Sequence, residues 1–319
     1  MHRSSRTAAI AFLLLCTADA KDPSASEDNW IELTDQPARK QLFENVVRAS
    51  LMEDSRQQNP TLPTEFAIPK DFVFPDDARV DKINKVDRNA VIFGIDVSHH
   101  DGEAFDLTAL RLQKIDFVYV KATQGTKFKD RRFADYWRKL GDLGPSEKPL
   151  RGAYHFLSAT EDGKTQAERF VQYINLHGGL RKDDMPPCLD LEWDIGAKSP
   201  DQWKGQSPDE ILSKVAVWLN RVKELTGRTP LIYTARSWWL ERDIPESKLD
   251  LLKDYPIWLA DYSRSHKASE KPAVINGRAQ SLWQFADDAM LRVGYPGKLD
   301  ANIFYGSRAD FEKAFGIAR

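Results

Sequence analysis

Asp190 and Glu192 stand two residues apart in the run Pro186-Pro187-Cys188-Leu189-Asp190-Leu191-Glu192-Trp193. An apolar, proline-led run of this length reads as a short buried strand. Side chains alternate faces along a strand, so the two acids point the same way, about 7 Å apart along the backbone. Leu189, Leu191 and Trp193 are expected on the opposite face. Two carboxylates on one face of an apolar strand are costly to bury. Crowding and desolvation raise the pKa of at least one of them. One protonated acid beside one carboxylate is the pairing that hydrolysis of a glycosidic bond uses. Cys188 shares their face. A catalytic thiol is one reading of it; a small buried filler beneath the acids is the preferred one, because cysteine buries readily.

Such a strand needs neighbours. Strand-like runs fall at 91–97, 117–121, 152–156, 187–193, 231–234, 257–260, 282–285 and 301–304. Helical periodicity falls between several of them, at 106–113, 130–143, 164–177, 208–226 and 237–240. Eight strands with helices between the early ones predict a parallel α/β barrel. The last three strands have little helix between them, so the expected barrel is irregular; an open doubly wound sheet is the alternative. No Gly-rich dinucleotide fingerprint follows the first strand, and no phosphate-loop motif occurs. A barrel collects its catalytic groups at the C-terminal ends of its strands. Those ends here carry polar and aromatic residues.

In order, the pieces are Gly94-Ile95-Asp96-Val97-Ser98, Phe117-Val118-Tyr119-Val120-Lys121-Ala122-Thr123 and Gly152-Ala153-Tyr154-His155-Phe156, followed by Asp190-Leu191-Glu192 and Tyr233-Thr234. Trp258-Leu259-Ala260-Asp261-Tyr262, Trp283-Gln284-Phe285 and Asp300-Ala301-Asn302-Ile303-Phe304 complete them. Each is weak alone, but their order and spacing are specific. From Gly94 to Phe304 the chain resembles glycoside hydrolase family 25, the lysozymes or N-acetylmuramidases that cut bacterial peptidoglycan. The resemblance implies an α/β fold, an irregular TIM-like barrel of five strand–helix units and three further strands, (β/α)5(β)3, acting without a cofactor on peptidoglycan glycan strands. It implies Glu192 as general acid and base, and Asp190 as nucleophile or as stabiliser of the substrate's own acetamido group. Asp96 and Asp300 match further acids of that site, although Asp300 also reads as a solvated turn residue after Lys298-Leu299. Tyr154, Trp258, Tyr262 and Trp283 are candidates to stack on sugar rings, whereas Trp137 and Trp218 are expected in the core. The chain departs from the family pattern at Asp101-Gly102, at Gln124 after Thr123 and at Leu107, positions that touch the substrate rim rather than the acids.

Two other readings compete. His99-His100-Asp101 near Asp96 suggests a metal-dependent polysaccharide deacetylase. A zinc site wants three protein ligands and an open position, and His155, His177 and His266 supply no spaced set, so no metal is expected. A non-catalytic cell-wall-binding protein on the same fold is disfavoured by the presence of both Asp190 and Glu192.

Residues 1–20 read as a signal peptide, with a basic start at His2, Arg3 and Arg6, an apolar stretch from Ala8 to Cys16 and a small-x-small site at Ala18-Asp19-Ala20. A lipoprotein reading at Cys16 is weaker, because Leu14 and Leu15 stand where small residues are preferred. The apolar run is too short to span a bilayer; the protein is expected to be exported, periplasmic or extracellular, and without stable membrane insertion. Cleavage would leave Cys188 as the one cysteine and no intramolecular disulfide. Residues 21–90 read as an N-terminal extension, a helix near 37–52 plus an extended strap carrying Trp30, Phe66, Phe72, Val73 and Phe74. Residues 91–319 read as the catalytic barrel. The 46 basic and 48 acidic side chains nearly balance, which argues against nucleic acid as a partner. A monomer is expected.

Overall fold

Runs rich in Val, Ile, Leu, Phe and Tyr pair edge to edge until the sheet has no free edge. The eight strands are β1 (Val91–Val97), β2 (Phe117–Gln124), β3 (Leu150–Phe156), β4 (Cys188–Asp190), β5 (Leu231–Ala235), β6 (Ile257–Ala260), β7 (Leu282–Leu291) and β8 (Lys298–Tyr305). β1 to β7 pair in parallel, each with the next. β8 runs antiparallel to both β7 and β1 and closes the barrel. This computed structural model describes residues 72–81, 84–101, 105–144, 149–196, 199–273, 275 and 281–318. The expected signal peptide, the helix near 37–52, Trp30 and Phe66 lie outside the described residues.

Helices cover the outside where the sequence placed them. Phe133–Asp142 buries Phe133, Tyr136, Trp137 and Leu140, one face of a 3.6-residue period. Pro208–Thr226 buries Ile211, Leu212, Val215, Trp218, Leu219 and Val222. Its limits are written locally: Ser207 and Glu210 form a capping box, Pro208 opens the first turn, and Gly227 closes it at φ 67°. After β6 the covering thins to the short helix Arg264–Ser269.

The thin side is sealed from the other end of the chain. Val73–Phe74 adds a parallel strand to the end of β7, opposite Met290 and Leu291. Phe72, Phe74 and Ala78 are buried, with the Phe74 ring 5.3 Å from that of Phe93 and 6.0 Å from that of Phe285. Phe72, Phe74 and Ala78 therefore pack on the barrel, and the packed unit begins before residue 91.

Inside the barrel, two glycines make room for aromatics. A Cβ on Gly94 would overlap the Phe117 ring, and one on Gly152 would overlap the Tyr119 ring. Phe117, Tyr119 and Lys121 share the inner face of β2, stacked toward the mouth. Tyr119 crosses the interior to meet Trp258 of β6, ring centroids 4.8 Å apart.

Candidate active site

The strand ends open into a cavity of about 250 Å³ at the C-terminal mouth of the barrel, lined among others by Asp96, Lys121, Tyr154, Asp190, Glu192, Tyr233, Trp258 and Asp300. Asp96 is the next-to-last residue of β1, Tyr154 lies on β3, Asp190 ends β4 and Tyr233 lies on β5. Asp300 comes from the first turn of pairing on β8. Because that strand is antiparallel, its N-terminal end rises to the same mouth, and Asp300 stands opposite Asp96 in register. Asp300 is thus a buried strand residue rather than a solvated turn residue.

The expected strand around the acids is shorter than its sequence suggests. β4 stops at Asp190. Leu191 N–H still donates to the Tyr233 carbonyl at 2.9 Å, and the Trp203 indole N–H donates to the Glu192 carbonyl at 2.9 Å. Both acids line the cavity, as strand alternation predicts. Trp193 departs from that alternation. It lines the cavity too, with its indole N–H on Glu241 Oε2 at 2.6 Å, instead of facing away with Leu189 and Leu191. Alternation ends where the strand ends.

Burial pushes the Glu192 carboxyl well above the usual glutamate range; Asp190 adds to this, Lys121 opposes it, and Asp300 and Asp96 contribute further. Asp190 is also raised by burial, with Lys121 pulling it down and Asp96 pushing it up. Asp190 Oδ1 is buried with no hydrogen-bond partner. Two acids facing one cavity share a titration, and burial pushes both carboxyls up, Glu192 well above its usual range.

Asp96 Oδ2 accepts two amide bonds, from Gln284 Nε2 at 2.9 Å and Asn302 Nδ2 at 2.8 Å. Gln284 Oε1 in turn accepts from the hydroxyls of Tyr233, at 2.7 Å, and Tyr262. Asn302 Oδ1 accepts from the Trp258 indole at 2.8 Å. Lys121 Nζ donates to Gln124 Oε1 at 3.0 Å, with the Phe156 and Phe128 ring centroids 5.0 and 5.6 Å away. Sequence reasoning missed Lys121, Gln284 and Asn302 as site residues, although each lies on the inward phase of its strand.

Of the four aromatics expected on sugar, Tyr154 and Trp258 line the cavity. Tyr262 is buried, and its hydroxyl donates to Gln284 Oε1. Trp283 is a correction: it is 1% exposed, its indole N–H donates to the Asp261 carbonyl at 2.9 Å, and it offers no face to a ligand. It sits on the outward phase of β7, next to the inward Gln284. Trp137 and Trp218 are core, as expected. Cys188 is fully buried below Asp190, its thiol pushed well up by burial, with Asp190 and Asp96 adding to it.

The histidines have other work. His99 Nδ1 lies 2.7 Å from Asp130 Oδ2, and Asp101 Oδ2 accepts the Ser98 N–H at 2.7 Å, so His99–Asp101 is a fastened 3-10 turn. His155 faces outward to Gln166 and stacks on Trp218 at 5.5 Å; burial lowers its pKa to about 3. No group of three or more His, Cys, Asp or Glu side chains among the described residues converges as a metal site. The described residues therefore offer no such ligand set to a metal-dependent deacetylase.

The sequence model of glycosyl hydrolases family 25 matches residues 95–292. Lysozyme M1 of Streptomyces globisporus is 32% identical over 221 residues, covering 68% of this chain and 68% of that protein. The N,O-diacetylmuramidase of a Chalaropsis species is 29% identical over 176 residues, 54% of this chain and 77% of that protein. Among solved structures, the bacterial lysozyme from Streptomyces coelicolor superposes with a TM-score of 0.59 at 27% identity, covering 70% of this chain and 97% of that one.

Proposed function

This chain belongs to glycosyl hydrolases family 25, and on that footing we propose that Glu192 is its general acid and Asp190 the carboxylate that meets positive charge at the reacting sugar carbon. The protein is a glycosidase, a peptidoglycan hydrolase of the lysozyme and N-acetylmuramidase type. The observation that carries the division of labour is the environment of the pair. Burial, Asp190, Asp300 and Asp96 push the Glu192 carboxyl well up against the pull of Lys121, whereas at Asp190 burial pushes up and the pull of Lys121 is the largest influence after it.

Glu192 protonates the oxygen leaving the anomeric carbon, then takes a proton from the water that completes the reaction. Asp190 bonds that carbon, or orients and stabilises the substrate's acetamido group while its oxygen does so. Both routes retain the anomeric configuration, and they part at the intermediate: a glycosyl ester on Asp190 or an oxazolinium ion. Asp96 and Asp300 supply charge around the pair, and Tyr154 and Trp258 offer ring faces to the sugars.

The bond cut is the β-1,4 link that leaves N-acetylmuramic acid at the new reducing end. One chain carries all four acids, so the proposed site needs no residue from a second subunit. Peptidoglycan lies outside the cytoplasm, so the substrate and residues 1–20 together support export to the periplasm or the medium; no helix of the described residues is long and apolar enough to cross a membrane. Glu192→Gln is expected to lower turnover of purified peptidoglycan by at least about 10³-fold while sacculus binding persists. Near-normal turnover by that variant sinks the assignment. Mass analysis of products tests the bond, and glucosamine at the new reducing ends would overturn it.

A further inference from the structure

The sheet that carries the acids gives out before it reaches Glu192. β4 ends at Asp190, and the next bond along is that of the Leu191 N–H to the Tyr233 carbonyl. Beyond it, the Glu192 carbonyl accepts the indole N–H of Trp203 at 2.9 Å, from eleven residues further along the chain. Trp203 is buried. Its ring stands perpendicular to that of Trp238, centroids 5.6 Å apart, and the Lys214 ammonium lies 5.5 Å from its own centroid. An indole held by such neighbours has one place for its N–H, and so one place for the carbonyl that accepts it.

The segment between Glu192 and Trp203 is closed at its neck. Asp201 Oδ1 accepts the N–H groups of Asp194, at 3.0 Å, and of Trp203, at 3.3 Å, and the Gln202 N–H donates to the Asp194 carbonyl at 2.9 Å. Asp201 Oδ2 pairs with Arg242, whose guanidinium lies over the Trp238 ring and donates to the Trp238 carbonyl at 3.0 Å. Both side chains of the pair are 6% exposed. A buried ion pair keeps its geometry, because parting the charges would strand each of them. Asp194 Oδ2 fastens the same neck to the loop after β3, accepting the Ala159 N–H at 2.8 Å and the Ser158 hydroxyl at 3.1 Å. Trp193, Asp194 and Ile195 line the cavity.

We infer that Trp203 is a positioning residue for Glu192: its indole N–H sets the peptide beside which the acid projects, and the Asp201–Arg242 pair braces the segment that presents it. The role rests on the assignment of Glu192 as general acid. A general acid works only within hydrogen-bond reach of the oxygen it protonates, so a tilt of its peptide is read in kcat rather than in sugar binding.

The experiment is steady-state kinetics on purified peptidoglycan, with a thermal melt, for the full chain and for Trp203→Phe, Trp203→His and Asp201→Asn. Trp203→Phe keeps an aromatic ring beside Trp238 and removes the donor. Trp203→His keeps a ring N–H for the carbonyl and loses the benzene half, so it leaves the larger void and the lower melting temperature. In Trp203→Phe, kcat is expected to fall about tenfold or more with KM within about twofold. In Trp203→His, kcat per folded molecule is expected to stay within about threefold of the original. Activity then runs against stability, whereas a packing role alone makes activity follow it. An unmoved kcat in Trp203→Phe, a change confined to KM, or a kcat that follows the melting temperatures overturns the inference. If Trp203→His does not fold, the split between kcat and KM in Trp203→Phe decides alone. If neither folds, Asp201→Asn decides: it keeps an oxygen for both peptide N–H groups and gives up the charge facing Arg242. Its kcat is expected to fall about threefold or more at little change in KM, and an unchanged kcat overturns the inference. Glu192→Gln separates the two levels. If it retains near-normal turnover, the general-acid assignment itself falls. If it is inactive while Trp203→Phe turns over normally, only the role of Trp203 falls.

Discussion

Asp96 is held by amides that cannot turn. Each of its two donors has its own oxygen occupied by an aromatic N–H or O–H, Gln284 by Tyr233 and Tyr262, Asn302 by Trp258. Flipping either amide would set oxygen against oxygen and strand the aromatic donors. Gln284→Glu keeps the shape but replaces the donor with a carboxylate facing Asp96. It is expected to lower kcat on the order of 10²-fold with a smaller change in KM, as steady-state kinetics on peptidoglycan would read; unchanged kcat would remove Gln284 from the site. The acids themselves were legible in the sequence, because Asp190 and Glu192 interrupt an apolar strand at even spacing. Gln284, Asn302 and Lys121 were quoted as strand-end residues but not recognised. A glutamine or asparagine inside a strand has no charge to announce it, and its work appears only when a second strand brings it a partner.

Elements were legible to the extent that their rules are local. The helix Pro208–Thr226 coincides with its sequence expectation because Ser207, Pro208, Glu210 and Gly227 all mark its ends. β1 and β6 likewise match their expected limits, at Val91–Val97 and Ile257–Ala260. The ends of β4, β7 and β8 do not match. β7 extends six residues beyond 285 because β8 and Val73–Phe74 supply it with partners there. β8 starts three residues before 301, and that earlier start places Asp300 in register with Asp96. Trp193 and Trp283 were both misassigned for one reason. Strand alternation gives two faces but does not say where pairing stops or which face is inward. Gly152 tests the internal packing: Gly152→Ala drives a methyl group into the Tyr119 ring, and is expected to cost about 1–3 kcal/mol. Denaturant unfolding measures this; a loss under about 0.5 kcal/mol would mean that β2 and β3 part easily.

For the whole molecule, the barrel and its N-terminal strap are one packed body where described. β7, β8 and β1 carry apolar outer faces without long covering helices, and Phe72, Phe74 and Ala78 take that place. Phe74→Ala is expected to destabilise the folded chain by about 3–5 kcal/mol while leaving kcat per folded molecule near its original value. A thermal melt with parallel kinetics reads both, and an unchanged melting temperature would show that the strap is dispensable. The sequence by itself determined the class of fold, the acids and the family likeness, because strand alternation, helix caps and the Asp-Leu-Glu spacing act over a few residues and need no partner to be read. Only the tertiary structure decided which polar groups converge. Closing the barrel with an antiparallel eighth strand brings Asp300 to Asp96, sets Gln284 and Asn302 on one carboxylate oxygen, and buries Asp190 and Glu192 at a cavity that Lys121 also lines. The fields that separate the two acids arise from burial and from charges on other strands, and both exist only once the barrel has closed.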